Sequence, residues 1–562
     1  MTTRDDGPPT ADASPSDETL TVLSTPTPEP SPPEDDSAPR TDDDPRSTLE
    51  RLLSPAQIAL DATRRSRLIG WAGALGVTLL AAVLRLVDLG HPGTLVFDET
   101  YYVKEGYSLA TLGYEANWPE GANDRFNAGD LDAWESAPEY VVHPPFAKWV
   151  IAMGFRLGNP ADPATWRLST AIAGIVAVFL LARIARRLFA SNLLGTLAGG
   201  LLAIDGMAIV MSRTGLLDNI LMVLVLAAFG ALLLDREQAR RRLAARVDLD
   251  PSTLAAWGPR LGMRWWRLAS AVLLGLAIGS KWSGLYFLAA FGLLTVAWDL
   301  TARRSVGVRH WVRAGIWRDG AVAAAVMVPV AAATYLATWT GWLRDSRGWG
   351  RTWAADNPGE GVQWLPEALR SLWKYHGDMW AFHNSLTTEH SYQSQPLGWL
   401  LQLRPTSFHW GDIGPGDARC GSADCAETVL AVGNPVLWWA AAIALVACVV
   451  WFVRERDWRV PALLVGYVAG WLPWVLAYSH RTIFTFYAIV FTPWVVLTLT
   501  YALGRILGRD DAPERRRTLG IAAVVAIVTT IVLVSAFFYP VWTGMQIPRD
   551  QWQLRMWLPS WI

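Results

Sequence analysis

The chemistry-bearing residues of this chain gather around one short run, Val96-Phe97-Asp98-Glu99-Thr100-Tyr101-Tyr102. It places two adjacent carboxylates between aromatics, a few residues beyond the first long apolar segment, where a lipid-linked headgroup would sit. A hydroxyl is a poor nucleophile at neutral pH, and a carboxylate within hydrogen-bond reach can take its proton as the new bond forms. Asp98 is read as such a base, with Glu99 beside it positioning the acceptor or supporting an arginine. Other ionisable groups collect on the same outward-facing side, in its loops or at the ends of later apolar segments: His143, Arg167, Arg213, Asp218, Lys281, His390, His480 and Arg481. Ionisable groups within or beside a membrane span are costly and usually face a cavity. Guanidinium at an interface suits bidentate capture of phosphate, which makes Arg481, with His480, Arg167 and Arg213, the candidate phosphate-binding set.

Each of these residues also has a structural alternative. Asp98 could cap a helix beginning near Thr100, His143-Pro144-Pro145 could open one, and Arg167 and Arg213 could be interfacial anchors. Asp218, one turn into an apolar segment, is read as structural, stabilised by the helix dipole. The convergence on one side of the membrane favours function.

The elements that must position these groups are transmembrane helices. The chain has 562 residues, is 52% hydrophobic and has a mean hydropathy of +0.22. A hydrocarbon core about 30 Å thick needs roughly 20 apolar residues per helix. Eleven spans are expected, at about 68–89, 167–187, 193–211, 215–234, two within 268–299, 319–341, 433–453, 460–478, 483–504 and 518–539. The fold class is therefore an all-α polytopic membrane protein. Residues 1–60, rich in Pro, Ser, Thr, Asp and Glu, are expected to be a disordered cytoplasmic tail. The run Arg64-Arg65-Ser66-Arg67 holds the N-terminus inside, and the basic loops 235–267, 303–318 and 509–517 fall on the same side. Nucleic acid binding finds no support, because those basic loops are the ones expected to stay cytoplasmic.

Two larger extracytoplasmic loops follow, 90–165 and 342–432, with an outer tail at 541–562. Between Asp98 and Glu139 the first holds ten acidic residues against two basic. The second contains Cys420 and Cys425, a disulfide candidate in an oxidising compartment. Thirty-two tryptophans cluster near the span ends, where the indole prefers the headgroup level. No dense His or carboxylate cluster demands a metal, so none is expected as cofactor.

The runs Val96–Tyr102, His143-Pro144-Pro145-Phe146-Ala147-Lys148, Ser212-Arg213-Thr214-Gly215-Leu216-Leu217-Asp218 and Lys281-Trp282-Ser283-Gly284 together resemble the protein O-mannosyltransferases. So do His390-Ser391-Tyr392-Gln393-Ser394, Trp399–Pro405 and Gly433-Asn434-Pro435-Val436. The likeness extends from residue 68 onward and implies a GT-C glycosyltransferase fold over 68–540. It also implies inverting transfer of mannose from polyprenyl-phosphate mannose to Ser or Thr hydroxyls of secreted proteins at the outer face of the plasma membrane. On that likeness His143, Lys281, His390, Tyr392 and Gln393 shape the site or meet the acceptor. The segment 342–432 is too short for the extra ligand-binding MIR domain of the yeast-type enzymes, which points to the actinobacterial branch. Gly215 stands where bulkier apolar residues are common.

The partners expected are the lipid-linked donor, unfolded Ser/Thr-rich acceptors, membrane lipid and, through the need for an unfolded acceptor, the Sec translocon. Two rival readings share some of these features. A GT-C transferase acting on another sugar or on a lipid or polysaccharide would carry a similar Asp-Glu loop. A secondary transporter would gather its polar groups at the membrane midplane on broken helices in two related halves, which this chain does not show.

Overall fold

The computed structural model describes residues 46–411, 413, 419–508 and 512–562. A helix stands at every position where a span is expected. The chain-order labels are α1 (Arg64–Leu86), α2 (Glu99–Leu112), α3 (Phe146–Phe155), α4 (Pro163–Phe189), α5 (Asn192–Ile204), α6 (Gly206–Ser212), α7 (Leu217–Leu249) and α8 (Trp265–Ile278). They continue with α9 (Gly284–Ser305), α10 (Trp311–Thr338), α11 (Glu367–Ser385), α12 (Pro435–Glu455), α13 (Arg459–Ala477), α14 (Thr485–Leu507) and α15 (Glu514–Thr543). Among the described residues nine helices are long and apolar enough to cross a membrane by themselves, and the bent pair α5–α6 makes a tenth. The eleventh expected span is α8, whose 14 residues are only about 21 Å long at 1.5 Å per residue. The chain is a multi-pass membrane protein.

Local sequence sets the helix ends. Asp162 caps α4, its carboxylate accepting from Ala164 N at 2.9 Å with Pro163 at the first turn. Ser191 caps α5. Asp205 breaks the third span by 62°, because its carboxylate caps α6 through Ala208 N while also accepting from Asn434 N and Trp438 Nε1. The Asn434 side chain in turn caps α12 and donates to Ile531 O and Ser535 Oγ. One buried cluster thus joins three distant parts of the chain. Helix α14 is almost wholly buried and α7 largely so, whereas α1 and α15 present most of their surface outward.

Two expectations need correction. Helix α7 runs past the expected end at residue 234 to Leu249, because one side of the extension is buried: Ala239, Leu243, Ala244 and Val247 pack in a second core, and Asp235 is paired with Arg264 and Arg267 at 2.6–3.3 Å. The expected disorder of residues 1–60 fails over 46–60. There two short helices, Thr48–Leu52 and Pro55–Ala59, each carry a capping box, and buried Leu52 and Leu53 pack inward. Residues 1–45 lie outside the described residues.

The first outer loop folds as α2, a short helix Ala122–Asn127, an extended run and α3. The second holds α11 and a two-stranded antiparallel pair, Thr406–Trp410 with Thr428–Ala431. Cys420 and Cys425 are disulfide-bonded, and Cys425-Ala426 pairs with Ile547-Pro548 of the outer tail.

Candidate active site

Asp98 sits at the entrance to α2 on a turn that the rest of the molecule holds in place. Phe97 adopts a left-handed backbone (φ 45°), which is costly for a bulky residue and persists only when its surroundings fix it. Its ring is clamped by Phe408, Phe484, Phe486 and His390, with centroids 5.0–6.0 Å apart. Beneath it Glu99 is fully buried. The two Glu99 oxygens accept from Arg167 Nε and NH2 (2.9 and 2.8 Å), Gly215 N (2.7 Å) and Val96 N (3.0 Å). Gly215 is required here, since a Cβ would lie 2.8 Å from Val103 Cγ2 and push this segment away from Glu99.

The Asp98 carboxylate opens onto a cleft of about 720 Å³. Tyr101, Tyr102 and Glu105 of α2 form one wall and residues 139–143 the next; Lys281, Trp282 and Tyr286 line the start of α9. His383 of α11 and Trp474, Tyr478, Arg481 and Tyr487 complete the lining. Asp98 and Arg481, 383 positions apart in sequence, therefore share one cavity. The Arg481 side chain makes no hydrogen bond among the described residues, and its Nε is buried. It stands against the Tyr478 ring, 5.8 Å from the centroid, as an available cation. Lys281 is a second cation on this surface. Its Nζ lies 2.9 and 3.0 Å from the two oxygens of Asp218 and 4.3 Å over the Tyr487 ring. The cleft thus sets a carboxylate and two cations in a largely aromatic surround, which suits transfer from an anionic leaving group.

Two family models match the chain: "Dolichyl-phosphate-mannose-protein mannosyltransferase" over residues 142–244, and "C-terminal four TMM region of protein-O-mannosyltransferase" over residues 368–561. The polyprenol-phosphate-mannose–protein mannosyltransferase of Mycolicibacterium smegmatis (strain MKD8) is 38% identical over 525 residues, which cover 91% of this chain and 97% of that protein. The chain belongs to the protein O-mannosyltransferase family. The enzyme of the same name from Mycobacterium tuberculosis (strain H37Rv) is 37% identical over 534 residues, covering 92% and 97%. Among solved structures, the Saccharomyces cerevisiae protein O-mannosyltransferase Pmt1-Pmt2 complex bound to the sugar donor matches with a TM-score of 0.66 at 15% identity. That likeness covers 90% of this chain and 94% of the yeast chain. The fold is that of the GT-C glycosyltransferases.

Within this protein O-mannosyltransferase, several residues expected at the site lie elsewhere. Arg167 is fully buried. Besides Glu99, it donates to Thr94 O and Pro92 O (2.9 and 2.8 Å), so no face remains for a phosphate. Arg213 donates to Arg85 O, Val87 O and Asp88 O, clamping the end of α1. Both are corrected from donor-binding to structural positions, because buried guanidinium must satisfy its donors internally. Glu99 is corrected likewise: it braces the turn and does not line the cleft. His480 is exposed and does not line the cleft, although its neighbour Arg481 does.

His390, Tyr392 and Gln393 also lie off the lining, and His390 supports Phe97 from behind instead. His143 does line the cleft and stacks on His383 at 5.0 Å. Burial, together with nearby Lys281, holds the His143 imidazole well below its usual pKa, and burial brings His383 to about 4. Both rings are neutral at pH 7. Burial pushes the Asp98 carboxyl up to about 7; Lys281 opposes this, while Asp218 and Glu105 add to it.

Sequence reasoning missed Glu105, Glu139 and Lys148. Lys148, fully buried, bridges Glu105 (3.1 Å) and Glu115 (2.8 Å). The spacing of Asp98 and Glu105, seven apart on one helix face, was the available signal.

Proposed function

We infer that this chain transfers mannose from polyprenyl-phosphate mannose to Ser or Thr hydroxyls of protein acceptors, with inversion, in the cleft shared by Asp98 and Arg481. The observation that carries the inference is that shared cavity: a carboxylate and a guanidinium whose side chains make no hydrogen bond among the described residues line the same cleft. The acceptor O–H gives its proton to Asp98 as the oxygen attacks the anomeric carbon. The bond from that carbon to the phosphate oxygen breaks on the opposite face, and polyprenyl phosphate departs with the electron pair. Arg481 carries the charge that develops on the phosphate, with Lys281 held nearby by Asp218. Phosphate is a good leaving group when so stabilised, and no acid is required.

Metal independence belongs to the proposal, supported by these two cations standing where a divalent ion would otherwise neutralise phosphate. The positive-inside count supports an outward-facing site, which the proposal puts at the plasma membrane, and delivery of unfolded acceptors by the Sec translocon belongs to the same reading. Radiolabelled polyprenyl-phosphate mannose offered with a Thr-containing peptide, with and without EDTA, tests the reading. Labelled peptide in both arms is expected. Label confined to lipid or polysaccharide would overturn the acceptor class, and loss of transfer in EDTA would overturn metal independence.

A further inference from the structure

The backbone that borders the cleft beside α2 has one unpaired edge. Between bends at residues 136–137 and 142–143 the chain runs straight over 138–141, with an antiparallel bridge from Pro138 to Ala116, and one of its edges is paired. Glu135 N bonds Asn117 O and Asn117 N bonds Ala137 O (both 2.8 Å), and Glu139 N bonds Glu115 O at 2.9 Å. Beyond these, Tyr375 Oη donates to Val141 O (3.0 Å) and accepts from Val141 N (3.3 Å). These are odd-numbered residues. Extended backbone presents its N–H and C=O groups to alternate edges, so Tyr140 and Val142 present theirs to the other one. There, among the described residues, Tyr140 N–H, Tyr140 C=O and Val142 N–H have no hydrogen-bond partner; only Val142 C=O is met, by His383 Nε2 at 2.8 Å. Residues 139 to 143 all line the cavity that holds Asp98. A row of unspent main-chain groups on a strand edge is a template for another extended chain.

We propose that the acceptor polypeptide binds as an added strand on the free edge of residues 139–142, exchanging main-chain hydrogen bonds with Tyr140 and Val142 so that its Ser or Thr hydroxyl reaches Asp98. The proposal rests on the reading of the cleft as a protein-acceptor site and deepens it. Main-chain pairing would let one enzyme serve acceptors of unrelated sequence, because every residue other than proline offers the same donor and acceptor. Charge on this wall favours such an occupant over an anionic one. Glu105 and Glu139 both line it, and Lys148 already pairs Glu105 while the Glu139 carboxylate makes no hydrogen bond among the described residues. Glu105 lies seven positions beyond Asp98, about 10 Å of helix, which is about three residues of extended acceptor.

The experiment uses the full-length enzyme in membranes, polyprenyl-phosphate mannose, and a synthetic peptide with one Thr, N-methylated at each flanking amide in turn. Methylation of the one amide that meets Tyr140 C=O is expected to lower kcat/KM about tenfold, and methylation at the other amides to leave it unchanged, because Val142 C=O is already met by His383. An acidic residue three places from the Thr is expected to lower it as well, and Glu139→Gln to relieve that penalty. Robust transfer to the parent peptide with no single amide position sensitive to methylation would overturn the strand while leaving the acceptor reading intact. Absence of transfer even to the parent peptide would remove both.

Discussion

Glu99→Gln separates support from chemistry at the two adjacent carboxylates. The native side chain accepts four hydrogen bonds at 2.7–3.0 Å, two of them from Arg167, and neither partner of that ion pair is exposed. An amide offers one acceptor oxygen, turns its NH2 toward donors, and leaves the guanidinium charge without a counterion. Removing one member of a buried pair costs about 3–5 kcal/mol, a large part of the roughly 5–15 kcal/mol that holds a domain folded. Val96 N and Gly215 N reach different oxygens of Glu99, so one of them loses its acceptor in the same step and the Phe97 turn that aims Asp98 loosens.

The expected outcome is a sharp fall in membrane yield and in the melting temperature of detergent-solubilised protein, with transfer lost in proportion to folded protein. Combining Glu99→Gln with Arg167→Met removes both charges, and the double variant should be destabilised by less than the sum of the singles. A Glu99→Gln protein that melts within about 1 kcal/mol of the parent yet transfers no mannose would refute this reasoning and put Glu99 in the chemistry.

Other outcomes follow from the same geometry. Because Asp98 must be ionised to accept a proton and burial lifts it to about 7, kcat/KM should fall tenfold per pH unit below pH 7, a limb absent in a variant limited elsewhere. The sign for stability is opposite: the folded chain holds this proton up to a higher pH than the unfolded chain, so Asp98 favours folding at acid pH and loses that contribution as pH rises through 7. Asp98→Asn should accordingly melt higher than the parent at pH 8, measured without donor. Arg481→Ala should raise the KM for polyprenyl-phosphate mannose at least tenfold in a donor titration, whereas Arg213→Ala should lower the melting temperature instead. Replacing Cys420 and Cys425 by Ser should cost about 2 kcal/mol in a melting assay and leave kcat unchanged, since their short loop lies off the cleft.

The spans and their order were legible because hydrophobic length and the distribution of arginine report bilayer physics directly. Asp98, Lys281 and Arg481 were legible because each stands beside an end of an apolar segment, and His143 because it opens the His-Pro-Pro run in the loop that Asp98 begins. The roles of Arg167 and Arg213 were not. A guanidinium that grips phosphate and one that ties down main-chain carbonyls look alike in sequence, and only the partners tell them apart: Arg167 spends its donors on Glu99, Thr94 and Pro92, while Arg481 spends none among the described residues. The helices at 48–59 were hidden because composition averaged over sixty residues masks two capping boxes and a pair of buried leucines. Residues 139–143 gave no periodic signal, since their function in the fold is carried by main chain.

Single-turnover transfer by Asp98→Asn, with polyprenyl-phosphate mannose already bound and a Thr peptide added, bears most directly on the account. Donor binding should match the parent while the rate of mannose transfer falls about 10²–10⁴-fold. Transfer at the parental rate from the bound donor would show that the proton leaves the acceptor hydroxyl by another route and that the cleft has been misread.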